Sequence, residues 1–311
     1  MSVSESPVGA ERPEEIRAVP VRRPGRWIAA VIVLVVGASL IRGVITNPHF
    51  EWHVIGSYLF DSRILSGMVL TIELTIASMA IGIALGVMLA VMRLSPNPIV
   101  SGASWLYIWF FRGTPLLVQI LFWYNIAALF PVISLGIPFG PAIIHGSANT
   151  VVTAFVAGLL ALSFNEGAYM SEIVRAGIIS VAEGQTEAAQ SLGLSRIQTL
   201  RLIVLPQAMR VAIPPTGNET ISMLKNTSLV SVIALAELTY SAQQIYNVSF
   251  KVIPLLIVIS IWYLVLTSVL YVGQYFIERR YGRGFSRAER ATLGSRWLAF
   301  GHRGSGEAGN P

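Results

Sequence analysis

Apolar residues run through this chain in long blocks, and the polar residues between them cluster where a helix would end or turn. Blocks at 27–45, 66–92, 116–130, 150–173, 211–238 and 254–277 each approach the length needed to cross a bilayer. A helix needs about 20 mostly apolar residues for that, so the pattern predicts six spans. The second block closes at Arg93 and the Pro-containing turn at 95–98, since proline resists helix continuation. Residues 99–115 carry Trp105, Tyr107 and Trp109 ahead of Arg112, the composition of an interfacial lead-in to the third span. An uncharged Pro/Gly-rich stretch at 131–149 reads as a loop. Residues 1–26 are rich in Pro, Glu and Arg without periodicity and read as a disordered tail. The block at 27–45 reads as an extra, uncleaved span, because Arg42 and Asn47 follow it with no small-x-small cleavage site. An arginine-rich tail closes the chain at 281–311.

Composition supports the same class. Of 311 residues 54% are apolar and 12% charged, against roughly 25% charged in soluble domains. The absence of cysteine excludes disulfides, thiolate nucleophiles and iron–sulfur clusters. A net charge of +6 could suit nucleic acid, but its placement points to membrane orientation instead. Of 22 lysines and arginines, five precede Trp27, two are Arg93 and Arg112, four lie between Arg175 and Arg210, and seven follow from Arg279. With the N-terminus in the cytoplasm all of these fall inside, only Arg42, Arg63 and Lys251 fall outside, and Lys225 lies within the fifth span. That bias orients both termini and the polar segment at about 175–210 to the cytoplasm.

The polar segment is built to fold locally. Gln185 to Leu192 are helix formers, and Gly193 suits the residue after a helix because it reaches positive φ without a Cβ clash. Ser195 can cap a second helix, to which Ile197, Leu200, Ile203 and Leu205 give an apolar stripe, and Pro206 marks its bend or stop. The small residues Ala188, Ala189, Ser191 and Gly193 leave a surface that another protein could approach closely. Composition alone also fits an amphipathic hairpin lying on the lipid interface.

The spacing of Glu187-Ala188-Ala189, Gly193 and Ile203-x-Leu205-Pro206 resembles the EAA loop of ABC importer permeases, where it docks into a cytoplasmic ATPase subunit. The flanks agree. Phe111-Arg112-Gly113-Thr114-Pro115-Leu116-Leu117-Val118-Gln119, the run from Tyr169 to Ile178, Gly184-Gln185, Pro206 to Arg210, and Lys225-Asn226-Thr227-Ser228-Leu229 are similar to signatures of polar amino-acid permeases. The resemblance covers about 60–280. It implies an all-α polytopic membrane helical bundle of MetI-like type, five core spans plus one N-terminal span. It further implies a second permease subunit, identical or related, and an extracytoplasmic amino-acid-binding protein. Cytoplasmic ATPase subunits would bind the ATP and Mg, none being held by this chain. The location implied is the bacterial inner membrane, and the cargo a polar or charged amino acid. Many members have only five spans, so the segment at 27–45 inherits no role.

Glu73, Glu166, Glu219 and Lys225 fall in or near spans, where a lone charge costs roughly 2.5–3.5 kcal/mol. They either pair between helices and snorkel, or line a substrate path in which carboxylates favour an ammonium or guanidinium group. Pro214 and Pro215 beside Gly217 interrupt the start of the fifth span, as a packing kink or as a hinge beside the path. His49, His53 and His145 make no metal spacing. No G-x-x-x-x-G-K-[ST] loop, G-x-S-x-G elbow or H-E-x-x-H pair occurs, so the chain reads as neither an ATPase nor a hydrolase. The rival readings are an ion-coupled secondary transporter of amino acids and a scaffold that recruits a partner without transport.

Overall fold

The structure, a computed structural model, describes residues 24–136 and 142–281, of which Pro24, Arg26 and 135–145 are described by their backbone alone. The tails read at 1–26 and 281–311 lie outside these residues, except where helix α1 begins at Pro24 and the last helix ends at Tyr281. Two compact units divide the chain after Phe50. The first holds α1 (Pro24–Thr46), 23 residues with no acidic residue in its first turn, no basic residue in its last, and apolar side chains exposed all round, as a span requires.

The second unit is a helical bundle. Its elements are α2 (Trp52–Tyr58), α3 (Ser62–Arg93), α4 (Pro98–Gly113), α5 (Leu116–Tyr124), α6 (Ala148–Val151), α7 (Ala154–Ile179), α8 (Glu183–Ser191), α9 (Arg196–Thr199), α10 (Leu205–Asn226), α11 (Leu238–Ser249) and α12 (Val252–Tyr281). Among the described residues three helices, α1, α3 and α12, are long and apolar enough to cross a membrane alone. The run α4–α5 bends by 101° at its break, and the run from Arg196 to Ile233 bends by 45° into α11; counted as single spans they bring the number to five. Helix α7 has 26 residues, about 39 Å of helix, but Asn165, Glu166, Glu172 and Arg175 make it the polar centre of the bundle.

Close contacts give the directions. Gly82 faces Glu166 and Gly86 faces Met170, so α3 and α7 run parallel, and the α4–α5 pair must supply the return path between them. Ser104 Oγ of α4 donates to the Leu89 carbonyl at 2.8 Å, and Tyr107 OH to that of Phe164 at 3.0 Å. Gly177 abuts Ala208 while Glu166 and Glu219 share a cavity, so α10 runs back along α7. Parallel α3 and α7 touch this closely only because glycines occupy the crossing. A Cβ at Gly82 would lie 2.6 Å from Glu166 Cγ, and one at Gly86 would meet Met170 Cβ and, at 2.9 Å, the Ser171 nitrogen. The pair forms a G-x-x-x-G of the kind that brings membrane helices together, a signal present in the sequence but not used in its reading. Gly86→Val is expected to destabilise the bundle by about 1–3 kcal/mol, because Ser171 backbone cannot yield as a flexible side chain can. A lower midpoint of thermal unfolding in detergent, measured on purified protein, checks this.

Two apolar clusters hold the bundle. One joins Leu74, Ile120, Leu162, Met170, Met223 and Val230 from α3, α5, α7, α10 and the 3-10 turn after α10. The other joins Ile55, Ile64, Leu238, Leu255 and Val258 from α2, α3, α11 and α12. At the end where α3 and α12 begin, Arg63 pairs with Asp61 at 2.8 Å and Lys251 with Glu51 at 2.7 Å. Two of the three basic residues read as lying outside are thus neutralised by neighbouring carboxylates. The Arg63 guanidinium holds the Asp61 carboxyl below its usual range. The opposite end, where α3, α7 and α12 finish, gathers Arg93, Arg175, Arg279 and Arg280.

Several boundaries differ from the sequence reading. The loop at 131–149 holds a two-stranded antiparallel hairpin, β1 (Val132–Gly136) with β2 (Ala142–Ser147). Backbone groups outside helices need partners, and pairing two short strands supplies them. The interfacial lead-in at 99–115 is a full helix, α4, started by Asn97 Oδ1 accepting from Ile99 and Pro98 at its first position. Residues after 238 form α11, capped by buried Glu237, whose carboxylate accepts from the Thr239 and Tyr240 amides at 2.9 Å. No element had been assigned there.

Candidate functional site

Where α4 breaks against α5, the last carbonyls of α4 lose their helical donors. Gln119 of α5 reaches back: its amide donates to the Phe111 carbonyl at 2.9 Å, the Thr114 carbonyl at 3.1 Å and Thr114 Oγ1 at 2.8 Å. Asn165 of α7 donates to the same Phe111 carbonyl at 2.9 Å and to Gln119 Oε1 at 3.3 Å. Irregular backbone at membrane depth survives when protein satisfies it in this way, and the result is a wall that no continuous helix could make.

That wall closes a cavity of about 620 Å³. Arg112 to Leu116 supply the bend, Asn165, Glu166 and Tyr169 the α7 side, and Glu219, Ser222 and Asn226 the α10 side. Arg112 lies over the Tyr169 ring, 5.1 Å from its centroid, which orients the guanidinium. Glu166 is 4% exposed, and its Oε1 has no hydrogen-bond partner among the described residues. A buried carboxylate oxygen left so is costly, and a bound cationic group would satisfy it. Glu219 sits on the facing helix. The cavity therefore offers one guanidinium and two carboxylates.

Of the four charges singled out from sequence, the structure brings Glu166 and Glu219 together and leaves the other two elsewhere. Glu73 is exposed on the outward face of α3, beside exposed Val69 and Ile76. Lys225 is exposed in the last turn of α10, where an ammonium suits the helix dipole. Neither lines the cavity. Asn165 had not been named, Gln119 and Tyr169 had been noted only within runs, and Arg112 within a run and as a charge beside the third span. Nothing in linear spacing marks them, since the bend that gathers them is tertiary.

The polar segment folds as a helix pair. Gly193 has φ +80°, its amide donates to Gln190 at 2.9 Å, and the Leu194 amide donates to the Ala189 carbonyl at 3.1 Å. This is the left-handed closure expected of glycine there. Ser195 caps α9 reciprocally: its hydroxyl accepts from the Gln198 amide at 3.3 Å and its own amide donates to Gln198 Oε1 at 2.9 Å. That capping box was legible as Ser-x-x-Gln. Four expectations need correction. Pro206 stops nothing: α9 widens into a looser turn at Leu200–Val204, where the Leu205 amide donates to the Leu200 carbonyl, and α10 begins with Pro206 in its first turn. The wider turn just before it makes room for the proline ring, which an unbroken α-helix would have met as a clash and a lost amide bond. The wider turn also shifts the facing, so Thr199, Val204 and Ala208 are buried while Ile197 is 69% exposed and Leu200 and Leu205 are exposed. Ala189 is 4% exposed and packs inward; Glu187, Ala188, Gly193 and Leu192, the last 84% exposed, form the outer surface, with Ile203 half-buried. Pro214 and Pro215 do not interrupt the span either, for α10 runs through both and Gly217 to Asn226.

Residues 82–283 match the family described as binding-protein-dependent transport system inner membrane component. The arginine transport system permease protein ArgU of Corynebacterium glutamicum is 45% identical over 289 residues, covering 93% of this chain and 89% of that one. That match leaves about 22 of 311 residues outside it, too few to exclude α1. The glutamine transport system permease protein GlnP of Escherichia coli K12 is 31% identical over 231 residues, 74% of this chain and 97% of its own. A solved structure described as an amino acid ABC transporter with histidines superposes with TM-score 0.60 at 37% identity, covering 70% of this chain and 94% of that one. The inward-facing methionine transporter MetNI, at 15% identity and TM-score 0.53, shares the fold.

Proposed function

Because the chain belongs to the binding-protein-dependent transport system inner membrane components, we propose that it is the permease subunit of an ATP-driven importer of charged amino acids, cationic ones above all. The carrying observation is the cavity between α7 and α10. Arg112 matches a substrate carboxylate, and Glu166 and Glu219 match an ammonium and a side-chain cation. The lining's formal charge of one positive and two negative groups complements a substrate of net +1. The relatives named for arginine and glutamine transport support an amino-acid cargo.

In this reading the pathway forms with a second permease subunit, an extracytoplasmic binding protein delivers the amino acid, and two cytoplasmic ATPases hold ATP and Mg. The α8–α9 pair is the contact with the ATPase. Its exposed Leu192 and Ile197 offer apolar anchors, with Glu187 and Ala188 beside them. The run from α9 through α10 is helical from Arg196 to Glu219, so a push at the pair moves the cavity wall. ATP drives the cycle only by binding one state of the complex better than the other.

The test is uptake of arginine into proteoliposomes holding the permease, its co-expressed ATPase and its binding protein. ATP-dependent uptake is expected; uptake driven by an ion gradient with no ATPase present would instead establish the secondary-transporter reading. For the contact, Leu192→Cys is expected to cross-link to an ATPase bearing a cysteine in its docking cleft, and Ala189→Cys is not. Cross-linking of buried Ala189 with none at Leu192 would refute the docking face.

A further inference from the structure

Pro214 and Pro215 supply no amide hydrogens, so the carbonyls of Arg210 and Val211, four residues earlier, lose their helical donors. Helix α10 is weakest there, between the α8–α9 contact and Glu219. A side chain from another helix holds α10 just where this weak turn ends. Gln274 of α12 is nine-tenths buried, and its amide nitrogen lies 2.9 Å from Asn218 Oδ1, 3.4 Å from the Pro214 carbonyl and 2.8 Å from Glu278 Oε1. Gly217 makes the room: a Cβ there would sit 3.1 Å from Gln274 Cδ and 3.2 Å from Cγ. Gln274 Oε1 is buried without a partner among the described residues. An amide held this way is a poor choice for packing alone, since an apolar side chain of that size would leave nothing unsatisfied.

We infer that Gln274 is a positioning residue: a strut from α12 that sets the bend of α10 at its two prolines and so sets where Glu219 stands in the cavity. The inference rests on the proposed transport function for its consequence but not for its geometry. The strut bonds the Pro214 carbonyl, at the end of the weak turn, and Asn218, one turn beyond it. Asn218 is the neighbour of Glu219. Without the strut, the part of α10 that carries Glu219 is free to swing about the prolines relative to α12.

Two variants test it. Gln274→Leu keeps the volume and removes the hydrogen bonds; Gly217→Ala leaves the amide intact and pushes it aside. The chain has no cysteine, so spin labels at Met209→Cys and Phe276→Cys, both exposed, report the separation of α10 and α12 in the full-length protein. The parent is expected to give one narrow distance distribution, and both variants a broadened or shifted one, with no fall in thermal midpoint for Gln274→Leu. In the reconstituted complex with ATPase and binding protein, ATP-driven arginine uptake should fall about tenfold or more while basal ATP hydrolysis is unchanged, since small misplacement of a binding group is costly. An unchanged distribution in both variants overturns the strut. A broadened distribution with undiminished uptake overturns its role in positioning Glu219. If the parent complex shows no ATP-driven uptake, the transport function fails, while the distance measurement still decides the strut.

Discussion

Glu219→Gln is expected to cut uptake of arginine by about 10-fold to 100-fold while uptake of glutamine changes by less than about 3-fold. A carboxylate–guanidinium hydrogen bond between charged groups contributes about 1.5–3 kcal/mol, and each 1.4 kcal/mol is tenfold in affinity. Glutamine has no side-chain cation, so it forfeits only a weaker contact. Glu166→Gln should lower uptake of both amino acids, since the carboxylate left for the α-ammonium serves both. It should also leave the thermal midpoint unchanged or raised, because it replaces a buried carboxylate whose Oε1 is unpartnered with a neutral amide. Competition between radiolabelled arginine and glutamine in proteoliposomes reads the selectivity directly. Equal losses for the two substrates, accompanied by a lower thermal midpoint, would mean that these glutamates hold the fold and not the cargo.

The second large effect belongs to Gly193. Its φ of +80° is closed to most L-residues at a cost of about 1–2 kcal/mol, more for a β-branched one. Gly193→Val should therefore open the turn between α8 and α9, undoing the bond from Leu194 to the Ala189 carbonyl. ATP-driven uptake is expected to fall by about tenfold or more, with the spans intact, since a turn at this position stabilises only the helix pair. Asparagine enters the left-handed region readily, so Gly193→Asn should retain most activity, with Gly193→Asp between the two. That order, asparagine above aspartate above valine, tests conformation and not bulk. Full uptake by the valine variant would show that the geometry of this turn carries no force.

Other effects stay local by the same reasoning. The ion pairs of Arg63 with Asp61 and Lys251 with Glu51 are partly exposed, and such pairs contribute about 0–1 kcal/mol. Their loss should leave transport unaltered, which serves as a baseline for the variants above.

Some of this molecule can be read from residues in line. Long apolar blocks dictate membrane helices because a helix is the one segment that satisfies its own backbone in lipid. Gly193 and Ser195 dictate the α8–α9 turn because closing and capping a helix are contacts within a few residues. The spacing from Glu187 to Pro206 identified the family because a long, gapped motif is contained in one short stretch. Other features depend on distant partners. A proline inside a helix breaks it or not according to what else supports that turn, so Pro214 and Pro215 read as an interruption and proved to lie in a continuous α10. Which intramembrane charges meet was decided by the parallel crossing of α3 and α7 at Gly82 and Gly86 and by the 101° break between α4 and α5. These gather Arg112, Glu166 and Glu219 from three separate helices and turn Glu73 outward. Periodicity says that a face is polar; only packing says what that face looks at.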